Sequence, residues 1–553
     1  MTMKKRISPA SFAALLIASL AIQISCTGVL HGPGGGGDDD DDGTGPGGGG
    51  GPGGNPTAPD CTDLGPPMLR RLTSIQMANT LRFVFQDQNV PTANVLTDPV
   101  VDGFRVDATE AVIRDLDAQQ LMNYAEMVAD WAVTQKLGQL ASCNQSDPAC
   151  RRQFVTDLGR KLYRQPLPDA TINSYTALFD PETSFADGAK VVIATMLQSP
   201  FFLYRREVGE ADPNDQGTRR LTGYELASNL SYMLTDRPPD DTLMQAAEQG
   251  RLSTVDGLVS EAERLLGTQE AAETFSHFVR GWLLTDDLLD RAKVDPTNQL
   301  TDDIRRAMLA ETDALFVDLV RTGGGVSDFL SAPYTFINQA LGNYYQIGGV
   351  NGDQLQRVDI PAGTRAPGVL GQGSILTRHA LADSSSPVQR GKLVRERFMC
   401  EDIPPPPPNV NPVLGDPNGA VTTRQRYEQH DADPVCYSCH QKLDPVGFAF
   451  EHFDGFGRWR DQEGGVAIDA TGKIVGTPDG DIPLDGLESL TTYLADSPQV
   501  EECLVRYMSY YSYGLSGCNQ QEILDDVNSS GSTLKSVVLS IIRAPQFSSR
   551  TVR

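Results

Sequence analysis

The clearest hydrophobic periodicity in the chain lies in residues 301–322, TDDIRRAMLAETDALFVDLVRT. Apolar residues recur there at helical spacing and form one stripe, which predicts an amphipathic helix. Thr301 is suited to cap the first turn, Asp302 suits the positive N-terminal end, and Gly323 predicts the end of the helix. The stripe includes Ile304, Met308, Leu315 and Leu319.

Similar patterns recur over most of the chain after Cys61, whereas strand-type alternation is nearly absent. The pattern predicts a mainly α fold in which several helical domains follow one another. Further predicted helices cover residues 72–87, 115–137, 150–164, 184–198, 221–235, 254–287, 387–400, 483–496, 498–514 and 532–543.

The N-terminus has the order of segments found in an export signal. Basic residues 4–6 precede an apolar run at 11–24, which is too short to span a bilayer comfortably. A serine before Cys26 resembles a lipoprotein processing site, although Gln23 stands where an aliphatic residue is usual. We predict a signal peptide over residues 1–26 with lipidation at Cys26, and ordinary signal cleavage nearby is the alternative.

Residues 27–60 are dominated by glycine and by the aspartate run 38–42. Glycine at this density forms neither helix nor strand and the aspartates repel one another, which predicts a disordered Gly/Asp linker. The formal net charge of the chain is −26. Because nucleic-acid binding needs a basic footprint, we expect no nucleic-acid partner, and membrane contact through the lipid anchor only.

The strongest chemical signal is the sequence Cys-Tyr-Ser-Cys-His at residues 436–440. The spacing C-x-x-C-H is the attachment signature of c-type haem. Two residues between the thiols let one helical turn present both sulfurs to one porphyrin edge. We predict one covalent haem c, held by Cys436 and Cys439, with His440 as the proximal iron ligand.

The motif has other possible interpretations besides haem attachment. A thiol–disulfide redox pair is expected in a βαβ context, and this region has a helical pattern. A zinc site needs a second pair of ligands at matching spacing, which the sequence does not contain. A chance match is the remaining alternative. Predicted export favours haem, because c-type haem is attached outside the bacterial cytoplasm.

The sixth iron ligand is less constrained by the sequence. His430 lies six residues before Cys436 and is our first choice, which would give bis-histidine ligation. The alternatives are an open, five-coordinate iron or ligation by Met508, His452 or Met399.

Residues 443–460, LDPVGFAFEHFDGFGRWR, follow the motif. Their aromatic side chains could wall a haem and their arginines could pair with a propionate, but a packed core with surface arginines explains the segment at least as well. The residues concerned are Phe448, Phe450, Phe453, Phe456, Trp459, Arg458 and Arg460.

An even number of cysteines is left when Cys26 and the motif pair are set aside. In an oxidising compartment six cysteines indicate up to three disulfides. Cys143–Cys150 closes a short polar loop and is the first choice. Cys503–Cys518 is the next local pair, although Cys400 could join either of those two.

With these residues in view, the chain resembles a family of modular planctomycete and myxobacterial proteins. The members are built from domains of unknown function and include a planctomycete-type cytochrome c domain. The resemblance runs from about Arg70 to the C-terminus. It is carried by the motif and by residues 70–86, 160–179, 199–210, 221–243, 376–408 and 444–460.

The resemblance implies an all-helical exported haem protein with attachment at Cys436, Cys439 and His440, and it implies no known reaction. We accordingly predict five domains after the linker. These are an N-terminal helical domain at 61–140, a small helical domain at 141–210, a central helical domain at 211–345, a cytochrome c-type domain at 346–445 and a C-terminal helical domain at 446–553.

Three functions are compatible with this sequence. The first is electron transfer or redox sensing at the cell envelope, as an outer-membrane lipoprotein or periplasmic protein with a redox partner that the sequence does not identify. The second is a peroxidase-like haem oxidoreductase that acts with a partner, which needs an open iron position. The third is a non-redox surface scaffold lipoprotein. Whether the protein is an enzyme is left open by the sequence.

Overall fold

The computed structural model of the protein describes residues 64–92, 96–179, 184–361, 363–404, 419, 421–430, 434–515 and 520–552, with backbone alone at 429, 430, 434–436, 438 and 439. The predicted signal peptide, Cys26, the Gly/Asp linker, Cys61 and Cys518 lie outside the described residues.

The predicted mainly α class is confirmed, since helix accounts for 56% of the structure and strand for 11%. Among the described residues, no helix is long and apolar enough to cross a membrane. The α-helices are Ser74–Phe85, Asp115–Leu140, Pro148–Tyr163, Asp169–Thr176, Phe185–Leu197, Pro200–Leu203, Gly223–Thr235, Asp241–Glu248, Val255–Leu266, Gln269–Trp282, Asp302–Thr322, Val326–Ser331, Gln339–Tyr345, Gly373–Arg378, Pro387–Leu393, Thr423–His430, Pro434–Gly447, Gly486–Ala495, Pro498–Tyr513, Gln521–Ser529, Leu534–Arg543 and Pro545–Ser548.

Local capping decides where these helices begin and end. The helix Asp302–Thr322 starts as predicted, because the side chain of Thr301 accepts a hydrogen bond from the backbone N–H of Ile304. It ends at Gly323, which has a φ of 83°. In this left-handed region glycine avoids the strain that a side chain would cause.

The single helix predicted over residues 254–287 is two helices in the structure. Val255–Leu266 ends at Gly267, and Thr268 caps the next helix by accepting from the backbone N–H of Ala271. Glycine followed by a good N-cap residue is therefore a break that hydrophobic periodicity alone does not reveal.

The strands are short and form small antiparallel sheets of two or three strands between helices. One pair joins Met68–Arg71 to Tyr204–Glu207, and the C-terminal strand Ser549–Thr551 pairs with Asp215–Arg220. The remaining strands are Glu210–Asp212, Tyr334–Ile337, Gln356–Asp359, Gln462–Glu463, Val466–Ala467, Thr471–Thr477 and Gly480–Asp485.

Two large hydrophobic cores organise the described chain. The first is built almost entirely from residues 72–203. The second contains Phe104 and then runs from Leu221 to Phe547, so helices on both sides of residues 434–447 share one apolar interior. The segment that carries the C-x-x-C-H motif is thus packed against a core built from distant parts of the chain.

A buried ion cluster joins the first, second and last strands of the described chain. Glu207 accepts hydrogen bonds from Arg70, at 3.4 Å, and from Arg550, and the exposed fraction of each of these side chains is 6% or less. Burial favours the neutral form of Glu207. The adjacent guanidinium groups nevertheless hold the pKa of its carboxyl below the ordinary value.

Two disulfides are present among the described cysteines. Cys143 and Cys150 are joined, with their Cα atoms 5.5 Å apart, which confirms the predicted pair. Cys503 is joined to Cys400, with a Cα separation of 5.4 Å. The first-choice partner for Cys503, Cys518, was therefore wrong, and the open alternative through Cys400 is the one found.

The reason for this second pairing lies in the direction of Cys503 on its helix. Its side chain is 1% exposed and faces the backbone of Glu396 and Arg397, beside Cys400. The two cysteines are 103 residues apart in sequence, and the loop they close contains the motif. A disulfide that closes so long a loop removes much conformational freedom from the unfolded chain.

Replacing Glu207 by Gln removes the negative charge shared by two buried guanidinium groups. We expect Glu207→Gln to lower the free energy of unfolding by about 3–5 kcal/mol, because the remaining buried charges lose their compensation. Chemical denaturation at neutral pH measures this change. The stabilisation by Glu207 is complete above the unfolded-chain pKa of 4.5 and is lost as the pH falls through the lower folded-state pKa.

The control variant is Asp169→Asn, which breaks the exposed ion pair with Arg152. Exposed ion pairs contribute little to stability, so this variant should unfold like the wild type. Equal effects of Glu207→Gln and Asp169→Asn would contradict the role given to the buried cluster.

Candidate functional site

The motif occupies the first turns of the helix Pro434–Gly447, called the motif helix below. At 3.6 residues per turn, positions 436, 439 and 440 fall within about 100° of the helix circumference. Tyr437, within the motif, is 51% exposed, and the His440 side chain is 19% exposed. The side chains of Cys436 and Cys439 lie outside the described residues, but the helical backbone puts both positions on the same face as His440.

The imidazole of His440 is oriented by a buried carboxylate one turn further along the motif helix. Its Nδ1 lies 3.0 Å from Oδ2 of Asp444, whose side chain is fully buried. Residues four apart share one helix face, so this pair needs no distortion of the backbone. Because Nδ1 is engaged with Asp444, coordination of a metal by this ring would fall to Nε2.

The second half of the motif helix is in backbone contact with its neighbours. A Cβ added at Gly391, in the helix Pro387–Leu393, would lie 2.0 Å from the carbonyl oxygen of Leu443. A Cβ at Gly447 would lie equally close to the carbonyl oxygen of Pro387. Glycine at both places lets the two helices approach more closely than side chains would allow.

A third glycine packs the motif helix against the strand Thr471–Thr477. A Cβ at Gly472 would lie 2.0 Å from the carbonyl oxygen of Pro445. Pro445 stands within the motif helix and has no backbone N–H to donate. The half of the helix that carries Asp444 is thus held from two sides by backbone contacts.

The buried side chain of Arg395 adds a polar clamp to the same region. It donates to the carbonyl oxygens of Lys442, at 3.2 Å, and Val475, at 2.9 Å, and it pairs with Glu401 at 2.7 Å. The guanidinium therefore connects the motif helix, the strand beside it and the segment before Pro404. A planar group with five donors suits such a three-way connection.

Arg390 fixes the loop that follows the motif helix. Its guanidinium donates to the carbonyl oxygens of Leu376, Phe450, Phe453 and Asp454, at 2.7–3.2 Å. Burial lowers the pKa of Arg390 to about 10. Even at that pKa the group stays charged at neutral pH, so the four carbonyl contacts are charge-assisted.

A buried carboxylate lies close to this arginine. Glu451 accepts from Arg460 at 2.7 Å and from the hydroxyl of Ser385 at 3.2 Å. Burial raises the pKa of Glu451, against the effect of Arg460 and Arg390.

A buried tyrosine lies in the same region. Burial raises the pKa of Tyr427, whose hydroxyl lies 3.3 Å from that of Ser386, and the charges of Asp444 and Glu451 add to this effect.

The aromatic residues after the motif belong mainly to the core. Phe450 and Phe453 are fully buried in the large core, and Phe448 and Phe456 are at most 5% exposed. Trp459 is different, since it is 39% exposed and stacks on His452 with ring centroids 4.5 Å apart. For the four phenylalanines, the structure therefore agrees with the interpretation of this segment as packed core.

The arginines of this segment have protein partners. Arg458 pairs with Asp295 and Asp454, both at 2.9 Å. Arg460 pairs with Glu451 and, at 2.8 Å, with Glu463. A propionate would have to compete with these carboxylates for either guanidinium.

The sixth-ligand candidates occupy very different environments. Met399 and Met508 are each 2% exposed and pack in the large core. His452 donates from Nδ1 to the carbonyl oxygen of Arg460 at 3.0 Å and stacks on Trp459. The side chain of His430 lies outside the described residues. The identity of a sixth ligand stays a prediction.

Asp444, Gly391 and Arg395 were not singled out from the sequence. The spacing of Asp444 four residues after His440 was the available signal, since it puts a carboxylate on the face of the predicted ligand. Nothing in the local sequence shows that Gly391 and Arg395 contact the motif helix. Among the side chains that the structure describes, no group of three or more His, Cys, Asp and Glu residues could hold a metal ion.

The fold and this site define a mainly α, disulfide-containing protein with a helix-borne C-x-x-C-H motif. Four family profiles match the chain one after another. They are PSD3, a protein of unknown function (DUF1587), at residues 70–134; PSD5 (DUF1595) at 150–207; PSD4 (DUF1592) at 221–347; and PSCyt3 (DUF1588) at 366–463.

These matches support a multi-domain protein assembled from domains of unknown function. The PSCyt3 match contains the whole motif helix together with Gly391, Arg395 and Glu451, and its name hints at an association with cytochromes. No curated protein and no solved structure matches the chain.

Replacing Gly391 by Ala tests the close packing of the motif helix. The added methyl group would meet the carbonyl oxygen of Leu443, so the two helices must separate. We expect Gly391→Ala to lower the free energy of unfolding by about 1–3 kcal/mol, the usual cost of overpacking. Chemical denaturation followed by circular dichroism measures the change.

Gly138→Ala is the matched control, because Gly138 also lies in a helix but has no atom within 4 Å of an added Cβ. Alanine is the better helix former, so this variant should be as stable as the wild type or up to about 1 kcal/mol more stable. A Gly391→Ala protein as stable as Gly138→Ala would show that the contact with Leu443 is looser than described.

Proposed function

We propose that this protein is an exported c-type haem protein that transfers electrons or senses redox state at the cell envelope. Cys436 and Cys439 hold one haem c through thioethers, and Nε2 of His440 is the proximal iron ligand. Acylated Cys26 anchors the mature chain, and the Gly/Asp linker holds the folded body away from the membrane.

The observation that carries this proposal is the geometry of the motif helix. Positions 436, 439 and 440 share one helix face, and Nδ1 of His440 is held 3.0 Å from Asp444. A ring oriented in this way presents Nε2 as the coordinating atom, which is the arrangement expected for an axial histidine. The side chain of His440 is 19% exposed, so this face reaches the protein surface, where a macrocycle would not displace the core.

The haem, when bound, supplies an iron that alternates between the ferrous and ferric states. The protein's part is to orient the iron ligand and to hold the motif helix in place. Asp444 fixes the imidazole, the glycine contacts at Leu443 and Gly447 hold the helix, and Arg395 ties it to the neighbouring strand. A site of this rigidity favours electron transfer, because little reorganisation accompanies the change of charge.

The sixth ligand and the partner are further parts of the proposal. His430, one helix before the motif, would complete bis-histidine ligation and give a low-spin iron. The partner is a second redox protein of the envelope. With a net charge of −26, this chain is suited to a partner with a basic docking face.

Haem attachment is tested by expressing the protein in cells that carry the periplasmic haem-attachment machinery. The wild type should give a pyridine haemochrome spectrum of haem c that survives denaturation and acid–acetone extraction. Cys436→Ala/Cys439→Ala should yield a folded protein without covalent pigment, because no thiol is left to form a thioether.

The matched control is Cys143→Ala/Cys150→Ala, which also removes two cysteines but breaks the disulfide near the N-terminal core. It should keep the pigment. A colourless wild type would overturn the proposal and favour a non-redox scaffold. A high-spin spectrum that responds to cyanide and peroxide would replace electron transfer by a haem-dependent oxidoreductase.

Lipidation is tested separately at Cys26. Wild-type cells fed a radiolabelled fatty acid should produce labelled protein in the membrane fraction, whereas Cys26→Ser should remove the label, because the acylated thiol is lost. Cys61→Ser, at a cysteine beyond the linker, is the control and should keep the label. Unlabelled wild-type protein, released after ordinary signal cleavage, would contradict the anchor and leave the haem proposal untouched.

A further inference from the structure

Asp444 combines two features that an ordinary helix-surface carboxylate does not have. Its side chain has no solvent exposure, and its Oδ2 lies 3.0 Å from Nδ1 of His440. A charge that is taken out of water is costly, so a carboxylate is rarely buried without a specific interaction. One partner of this carboxylate is the imidazole of the C-x-x-C-H motif.

We infer that Asp444 is a positioning residue for the iron ligand, which fixes the Nδ1–H tautomer of His440 and lowers the reduction potential of the iron. This inference rests on the proposed function, since the potential exists only in the haem-loaded protein. The tautomer, in contrast, is a property of the polypeptide itself.

The effect on the tautomer follows from hydrogen-bond chemistry. An ionised carboxylate only accepts, so Nδ1 must carry the proton and Nε2 keeps the lone pair that coordinates a metal. Histidine ligands in proteins are commonly held by such a second hydrogen bond, which also raises the basicity of the ring.

The effect on the potential follows from electrostatics. The ferric state carries one more positive charge than the ferrous state, so a negative charge nearby stabilises it preferentially. Because Asp444 is shielded from water, its charge is screened less than that of a surface carboxylate. A more basic imidazole acts in the same direction.

The surrounding packing keeps this carboxylate in place. Arg395 binds the carbonyl oxygen of Lys442, and Gly391 contacts that of Leu443, so the two residues before Asp444 are fixed. On the other side, Gly472 contacts the carbonyl oxygen of Pro445. Because Asp444 is held in this rigid half of the motif helix, its hydrogen bond holds the imidazole of His440 in a fixed orientation.

The first experiment compares midpoint potentials of haem-loaded proteins. Asp444→Asn keeps the size of the side chain and one acceptor oxygen but removes the charge. Its potential should be more positive than that of the wild type, with covalent haem retained. Glu451→Gln is the matched control, because Glu451 is also a buried carboxyl near the motif helix but pairs with Arg460. Its shift should be clearly smaller.

An unchanged potential in Asp444→Asn, or equal shifts in the two variants, would overturn the inference while the proposed function stands. Asp444→Glu, which restores a carboxylate, should return the potential toward the wild-type value. If Asp444→Asn changes only the thermal stability of the protein, Asp444 has a structural role and no influence on the iron.

The second experiment needs no haem. In the Cys436→Ala/Cys439→Ala protein, ¹⁵N NMR of labelled histidine should show protonated Nδ1 and unprotonated Nε2 at His440, at a pH above the titration of the ring. A predominant Nε2–H form would overturn the inference even if Asp444→Asn failed to fold. If the wild type is colourless, the proposed function fails and this spectrum alone decides whether Asp444 sets the tautomer.

Discussion

The arrangement of this protein around its motif depends on close backbone contact between two short helices. Gly391 and Gly447 sit where the helices Pro387–Leu393 and Pro434–Gly447 touch, and each glycine meets a carbonyl oxygen of the other helix. Because these contacts involve backbone, their geometry cannot be recovered by rearranging side chains. They fix the second half of the motif helix, and the buried Asp444 carries that constraint to His440.

Buried charge is the second theme of the structure. Arg390 and Arg395 are fully buried and bind backbone carbonyl oxygens, while Glu207 links two arginines from opposite ends of the chain. Such groups are costly to bury, and they are stable only when nearly all of their partners are in place. Their main effect is therefore to select one arrangement of distant segments, and they add little net stability. The segments held in this way include the disulfide-closed region around the motif.

Much of the helical fold could be predicted from the sequence, because amphipathic periodicity and capping residues are local signals. Thr301 and Gly323 bound their helix as expected, whereas Gly267 and Thr268 divide a helix that the periodicity had joined. The disulfide Cys143–Cys150 could be predicted because its loop is short. The partner of Cys503 could not, because it lies 103 residues away in the sequence. For the site, the motif could be read directly. The contacts of Gly391 and Arg395 depend on residues about fifty positions away, and a single sequence does not reveal such contacts.

The central claim is that one porphyrin is covalently bound to residues 436–440 of the mature protein. Mass spectrometry of the protease-digested, denatured protein tests it most directly. The account predicts that the peptide containing both motif cysteines carries the added mass of a single haem, and that peptides containing the other cysteines carry none. A motif peptide found at its unmodified mass, or joined only by a disulfide between Cys436 and Cys439, would contradict it.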